Sequence, residues 1–228
     1  MVRARYGQLA LISLIIASPA LVLRVFLAGG QGEGFATLVQ GVLTNYVIAA
    51  AVVVVSEAYL GRTVEVGEVL ERVGSRFGSI WGAAFIRGFF LLFGLLLLVI
   101  PGIIAMIVTF AMPIVVMVEG TSASDSFERS RNLARQNWGR IAMTLGVAVV
   151  LQYLAMFGSG FVLGAVFGAT TTTQVLAQVV AVLMAPFPAV VGTVLYYDLR
   201  IRKEAFDIQM LMESMGGETT QRRRRFAF

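Results

Sequence analysis

The chemistry open to this 228-residue chain is narrow, because it contains no histidine and no cysteine. Without histidine it lacks the usual general base near neutral pH and the commonest metal ligand. Without cysteine it has no disulfide, thiolate nucleophile or zinc–thiolate site. What remains is carboxylate and guanidinium: 13 Asp and Glu against 18 Lys and Arg. Three acid-x-bulky-acid patterns stand out, Glu68-Val69-Leu70-Glu71, Asp125-Ser126-Phe127-Glu128 and Glu204-Ala205-Phe206-Asp207. Each follows a lone acid, Glu57, Glu119 or Asp198. The densest polar stretch runs from Tyr196 to Asp207. Within it Asp198 and Arg202, Arg200 and Glu204, and Lys203 and Asp207 are i,i+4 pairs, which support a helix by about a few tenths of a kcal/mol each. This reads first as a self-paired, solvated helix, and second as a cluster docking against Arg129, Arg131 or Glu119. No phosphate-loop, G-x-S-x-G or H-E-x-x-H motif occurs. No enzyme activity, catalytic residue, cofactor or metal is therefore expected.

The elements that must carry these groups are set by hydrophobicity. The chain is 58% hydrophobic and 14% charged, with a mean hydropathy of +0.84. A soluble domain of this size cannot bury that much apolar surface. A spanning helix needs about 20 mostly apolar residues. The sequence offers such stretches at 8–28, 36–60, 80–100, 103–118, 141–167 and 174–197. The expected fold is therefore all-α: a polytopic membrane protein of six transmembrane helices in three hairpins, with interfacial amphipathic helices on one side. Residues 1–215 form one domain in this reading, and 216–228 form a basic, disordered tail near the lipid surface. The first span is read as a retained helix, since no convincing cleavage site follows it. Pro101-Gly102 is expected to turn the chain between the third and fourth spans. The fourth is the shortest and contains Pro113, so a re-entrant segment is the alternative there.

Charge placement orients the bundle. Every Lys and Arg except Arg24 falls in the termini, the two long loops, or just inside an adjoining span. The positive-inside rule then predicts both termini in the cytoplasm. Trp81 and Trp138 fall at the same interface, and the outer connections are short and nearly uncharged.

Arg87, counted with that side, lies deepest in its span. It sits about two turns inside the third span, where a charge is costly enough to suggest a role. Glu57, Glu119 and Asp198 are its expected partners. An ion pair fixing the bundle is the structural reading, and a substrate or lipid-phosphate contact is the functional one. Gln40, Asn45 and Gln152 are intramembrane polar groups that need interhelical partners or line a polar path. Pro186 and Pro188 predict a kinked or unwound centre in the sixth span. Gly160, Gly164 and Gly168, spaced by four, predict close helix packing within the chain, with homodimerisation as the alternative.

The segments suggest a three-fold repeat, with chance similarity among apolar segments and charged linkers as the alternative. Each hairpin opens with aromatic-Gly-x-aliphatic: Tyr6-Gly7-Gln8-Leu9, Phe77-Gly78-Ser79-Ile80 and Trp138-Gly139-Arg140-Ile141. Each closes on one of the lone acids, and a charged segment follows. Val66, Val69, Leu70, Val73 and Phe77 recur at helical spacing in the first such segment. Ser122 or Ser124 can cap the second, with Asp125 and Glu128 favouring its positive end. Ile201, Ala205, Ile208, Met212 and Met215 stripe the third. These helices either lie along an anionic leaflet or pack under the bundle as structural elements.

Two stretches carry a family resemblance. Pro113-Ile114-Val115-Val116-Met117-Val118-Glu119-Gly120 with Ser126-Phe127-Glu128-Arg129-Ser130-Arg131-Asn132-Leu133 is one, and Tyr196 to Asp207 is the other. Both resemble the bacterial and archaeal membrane proteins named for the membrane domain of glycerophosphoryl diester phosphodiesterase. The resemblance covers roughly residues 5–212. It implies a polytopic helical domain in a prokaryotic cytoplasmic membrane and no settled function. The phosphodiesterase chemistry in the name belongs to a separate, histidine-bearing barrel domain. Family members often carry an amphipathic segment before the first span. Only Met1 to Tyr6 precede it here, which reads as a shortened start.

The functional expectation is a non-enzymatic membrane scaffold or lipid-interacting module. A transporter or channel subunit for a small solute is the alternative, and the membrane part of a lipid phosphodiesterase system the remote one. Expected partners are membrane lipids, anionic headgroups above all. A membrane or cytoplasmic protein and a second copy of the chain are further options, and nothing points to nucleic acid. The candidate polar cluster is Arg87, Glu57, Glu119, Asp198, Arg200, Glu204, Arg129 and Arg131.

Overall fold

The computed structural model describes residues 2–27, 32–97, 99–168 and 170–202. They are helical with no strand among them. The expected tail and the stripe beyond Ile201, with Glu204 and Asp207, lie outside the described residues. Six segments are long and apolar enough to cross a membrane: Gly7–Phe26, Gly34–Tyr59, Phe77–Gly94, Ile100–Val118, Trp138–Phe167 and Thr172–Arg202. The protein is an all-α polytopic membrane protein.

Helix α1 (Val2–Phe26) packs along α2 (Glu33–Tyr59), α4 (Phe77–Leu97) along α5 (Val99–Thr109), and α8 (Trp138–Phe167) along α9 (Thr171–Met184). These are the three hairpins. Helix α3 (Val66–Ser75) follows the first hairpin and α7 (Ala123–Ala134) the second. The sixth span continues beyond α9 as α10 (186–202).

The interior is built around two segments that are apolar on every side, the pattern of a fully buried helix. One is Ala49 to Val54 of α2, buried without a break. The other is α6 (Met112–Val118), whose Met112, Ile114, Val115 and Val116 are buried. One apolar cluster joins α1, α2, α3, α4 and α6. A second joins α2 and α6 to α5, α7, α8 and α10 through Val52, Ile114, Leu133, Ile141 and Tyr196. Farther along, α8 turns an apolar surface outward: Leu154 is 63%, Phe157 74% and Phe161 79% exposed. Water would not tolerate such a face, and hydrocarbon does.

Three expectations need correction. Pro101-Gly102 does not form the turn. The chain leaves α4 at Leu97 and is already helical at Val99, so Pro101 sits in the first turn of α5. A missing N–H costs nothing there, because first-turn amides have no helical acceptor. Gly102 is used for close approach instead: a Cβ on Gly94 would lie 2.9 Å from the Gly102 Cα. The glycine series does not pack within the chain either. A Cβ added at Gly160 or Gly164 would meet nothing within 4 Å, and Gly168 serves as the cap that ends α8. Small residues allow close packing, but among the described residues no helix comes to that face. The third correction concerns Arg87.

The fourth span is broken in the middle. The chain turns at Phe110 and Ala111 between α5 and α6, with Pro113 in the first turn of the new helix. The break exposes backbone groups that lipid could not satisfy. Ser130 of α7 satisfies two of them: its Oγ donates to the Val108 carbonyl at 2.6 Å and accepts from the Ala111 N–H at 3.1 Å. Helix α7 is thereby a plug in the bundle, and Ser126, Ser130, Leu133 and Ala134 are its buried face. Its start is fixed by Ser122, whose Oγ accepts from the Asp125 N–H at 3.2 Å.

Candidate functional site

The expected polar cluster divides into two places. At one end of the bundle the lone acids are each engaged by arginines. Glu57, near the end of α2, accepts from Arg72 of α3 at 2.7 Å. Glu119, at the end of α6, accepts from Arg129 Nε at 3.1 Å and from the Tyr196 hydroxyl at 2.6 Å. Arg200 Nη1 lies 4.0 Å from the same carboxylate oxygen and 3.4 Å from the Tyr196 hydroxyl. Asp198 pairs with Arg140 at the start of α8 and with Arg202 one turn on, both at 3.0 Å. Tyr59 stacks on Tyr197 with ring centroids 4.6 Å apart, joining the ends of α2 and α10. The docking of the 196–202 segment against Glu119 and Arg129 is therefore made. Arg131 is exposed, takes no part in it, and has no partner among the described residues.

The Glu119 group is the tightest of these. Tyr196 is fully buried, and its hydroxyl would be costly there without an acceptor. Tyr196 and Arg200 lie one turn apart on α10, so both reach one carboxylate. Arg76 ties α3 and α4 to the same corner, donating to the Val116 carbonyl at 3.1 Å. Gly120 has a φ of +73°, and a Cβ there would lie 2.7 Å from the Arg76 guanidinium. Glycine is needed both for the turn and for the contact. In the first corner Arg72 is held protonated above its ordinary range, chiefly by its hydrogen bond to Glu57.

Arg87 stands apart from all three acids. It lies beside Ile48 and Val52, in the middle part of α2, near mid-depth of a core of about 30 Å. Glu57 and Glu119 sit at the ends of α2 and α6 and Asp198 lies farther along α10 than the cavity-lining Gly192, and all three are already engaged. Arg87 has no ion pair or hydrogen bond among the described residues. It lines a cavity of about 320 Å³ instead. Ile48 and Val52 of α2, Pro113 of the α5–α6 break, Gln152 of α8 and Gly192 of α10 lie around it. A small recess of about 20 Å³ beside Arg87 reaches Asn45.

Both helix breaks border this cavity, one through Phe110 and Pro113 and the other through Ala185 and Pro188. The sixth span turns at Ala185, as the two prolines predict. Pro188 has no N–H for the carbonyl four residues before it, that of Met184. That carbonyl accepts from Gln152 Nε2 at 3.4 Å. Gln152 thus patches the helix break and also faces the cavity. Asn45 bonds back to the Gly41 carbonyl of its own helix at 2.9 Å, and Gln40 does not line the cavity. Of the expected intramembrane polar residues, Arg87 and Gln152 come together, Asn45 is adjacent and Gln40 is apart. Tyr153, not singled out in the sequence, also borders the cavity, though it is 54% exposed and its ring stacks on Phe157 of the outward face. On the opposite end Arg24 donates to Gln178 at 3.0 Å.

No family model, curated protein or solved structure matches this chain.

Proposed function

We propose that this membrane protein is a non-enzymatic binding module that takes a lipid or lipid-like ligand into the cavity beside Arg87. The single observation that carries the reading is an arginine near mid-membrane that faces a cavity and has no acid for a partner. Intramembrane ionisable residues are costly, and those that persist mark paths and binding sites. The apolar lining suits an amphiphile. A pure scaffold that presents its connecting helices to other molecules finds less support, because α7 spends one face on plugging the α5–α6 break. Solute transport is the second reading. It is favoured by the two helix breaks that border the cavity, the kind of discontinuity that hosts substrate in transporters.

The paired acids and arginines form the cytoplasmic end in this proposal, on the positive-inside distribution. The resemblance of 113–120, 126–133 and 196–207 supports a prokaryotic cytoplasmic membrane as the setting. The test uses photo-methionine incorporated in the membrane. Met106 lines the cavity, whereas Met143 is 75% exposed on the outer surface. A lipid-mass adduct at Met106 after illumination is expected, with Met143 reporting bulk lipid. Adducts at Met143 and none at Met106 would refute the reading.

A further inference from the structure

The lining of the cavity also limits the charge of its occupant. Arg87 is the one formally charged side chain among the lining residues. Gln152 and Tyr153 are neutral, and the other residues there are apolar. The acids that could have neutralised Arg87 are held by Arg72, Arg129 and Arg140 at the end of the bundle. An unpaired guanidinium in a low-dielectric setting attracts one negative charge strongly. A second negative charge would have no counter-ion against apolar walls and would cost its desolvation. A neutral ligand would leave the guanidinium uncompensated.

Resting on the binding reading above, we infer that the Arg87 cavity takes a monoanionic oxyanion on an otherwise uncharged body, of the phosphodiester type, with the anion on the guanidinium. Gln152 is the neutral polar side chain of the lining nearest in kind to its remaining oxygens. The apolar walls of α2, α8 and α10 take the body. The volume of about 320 Å³ is at the small end of ligand cavities. It suits a headgroup and the first part of its chains. The same chemistry is offered by a phospholipid in the bilayer and by a free phosphodiester.

The test uses the full chain in neutral detergent and native mass spectrometry. It is incubated with equimolar phosphatidylglycerol, a monoanion, and phosphatidylcholine, a zwitterion. Wild type is expected to retain phosphatidylglycerol by about tenfold or more over phosphatidylcholine, the scale of one charge-assisted hydrogen bond. Arg87→Gln should lose that preference, and Arg87→Lys should keep part of it. Gly192→Leu leaves Arg87 in place and fills the cavity: even a Cβ there comes within 3.6 Å of Ile114. It should lose retention altogether, and it carries the test if Arg87→Gln fails to fold. Soluble glycerophosphoglycerol is the competing arm. Displacement by it assigns the recognised group to a free phosphodiester, and no displacement assigns it to the acylated lipid; both support the monoanion. Equal retention of the two lipids by wild type, or an unchanged preference in Arg87→Gln, would overturn the charge assignment while leaving a neutral binding module. No retention, together with no adduct at Met106, would overturn the binding reading itself.

Discussion

Replacing Ser130 with alanine tests how the broken fourth span is held. The hydroxyl is buried with no exposed surface and serves two backbone groups at once, the Val108 carbonyl at 2.6 Å and the Ala111 N–H at 3.1 Å. Alanine removes both partners and leaves each backbone group buried. An unsatisfied buried group costs about 1–3 kcal/mol, so the pair predicts a loss of roughly 2–5 kcal/mol. Water cannot easily substitute, since deleting one oxygen opens less than the roughly 30 Å³ that a water occupies in the liquid. Ser126 is the matched control. It is equally buried on the same helix, but its hydroxyl bonds only the Ala123 carbonyl one turn back, at 2.7 Å. Ser126→Ala should cost about 1 kcal/mol or less. The assay is reversible unfolding in mixed micelles, followed by far-UV circular dichroism. Because Phe110 and Pro113 border the cavity, Ser130→Ala should also weaken ligand retention, and Ser126→Ala should not. A Ser130→Ala loss no greater than that of Ser126→Ala would refute the claim that α7 is held by the break.

Three further outcomes follow from the packing and the charged end. Glu119→Gln should cost about 2–3 kcal/mol in the same unfolding assay. Part of that loss should vanish in a Tyr196→Phe background, because Glu119→Gln turns the charged acceptor of the Tyr196 hydroxyl into a neutral one; strictly additive losses would show that the two side chains do not interact. Arg72→Gln should cost about 1 kcal/mol or less, and less again in high salt, because the side chain is 45% exposed; a larger, salt-independent loss would show that this pair is buried. Gly94→Ala should cost about 1–3 kcal/mol by forcing α4 from α5, where Gly160→Ala, facing open space, should stay within about 0.5 kcal/mol; equal effects at the two positions would contradict the α4–α5 contact.

The spans were legible in the sequence because hydrocarbon imposes a length and a composition on each of them, whatever its neighbours do. The acid–arginine pairing at one end was legible in kind. Acids that close hairpins and arginines in the next segment must meet at the same level of the bundle, and Glu119 with Arg129 do so. Tertiary placement was not legible. Ser130 reads as an ordinary polar residue on a charged helix, and only the turn at Phe110 and Ala111 gives its hydroxyl two buried partners. Gly160 and Gly164 have the spacing of a packing motif, but spacing cannot say whether a helix arrives to use it.

Glu57, Glu119 and Asp198 are the partners that the sequence suggests for Arg87. Depth argues against them. Arg87 lines the cavity beside Ile48, nine residues or about 13 Å of helix rise from Glu57 on α2. An arginine side chain spans about half of that. The arginines of the connecting segments meet the acids at their own level, and Arg72, Arg129 and Arg140 each take one. Once helix rise is counted, the charges sort by depth. Those at the end of the bundle compensate one another and hold the fold, while Arg87 is left facing a cavity.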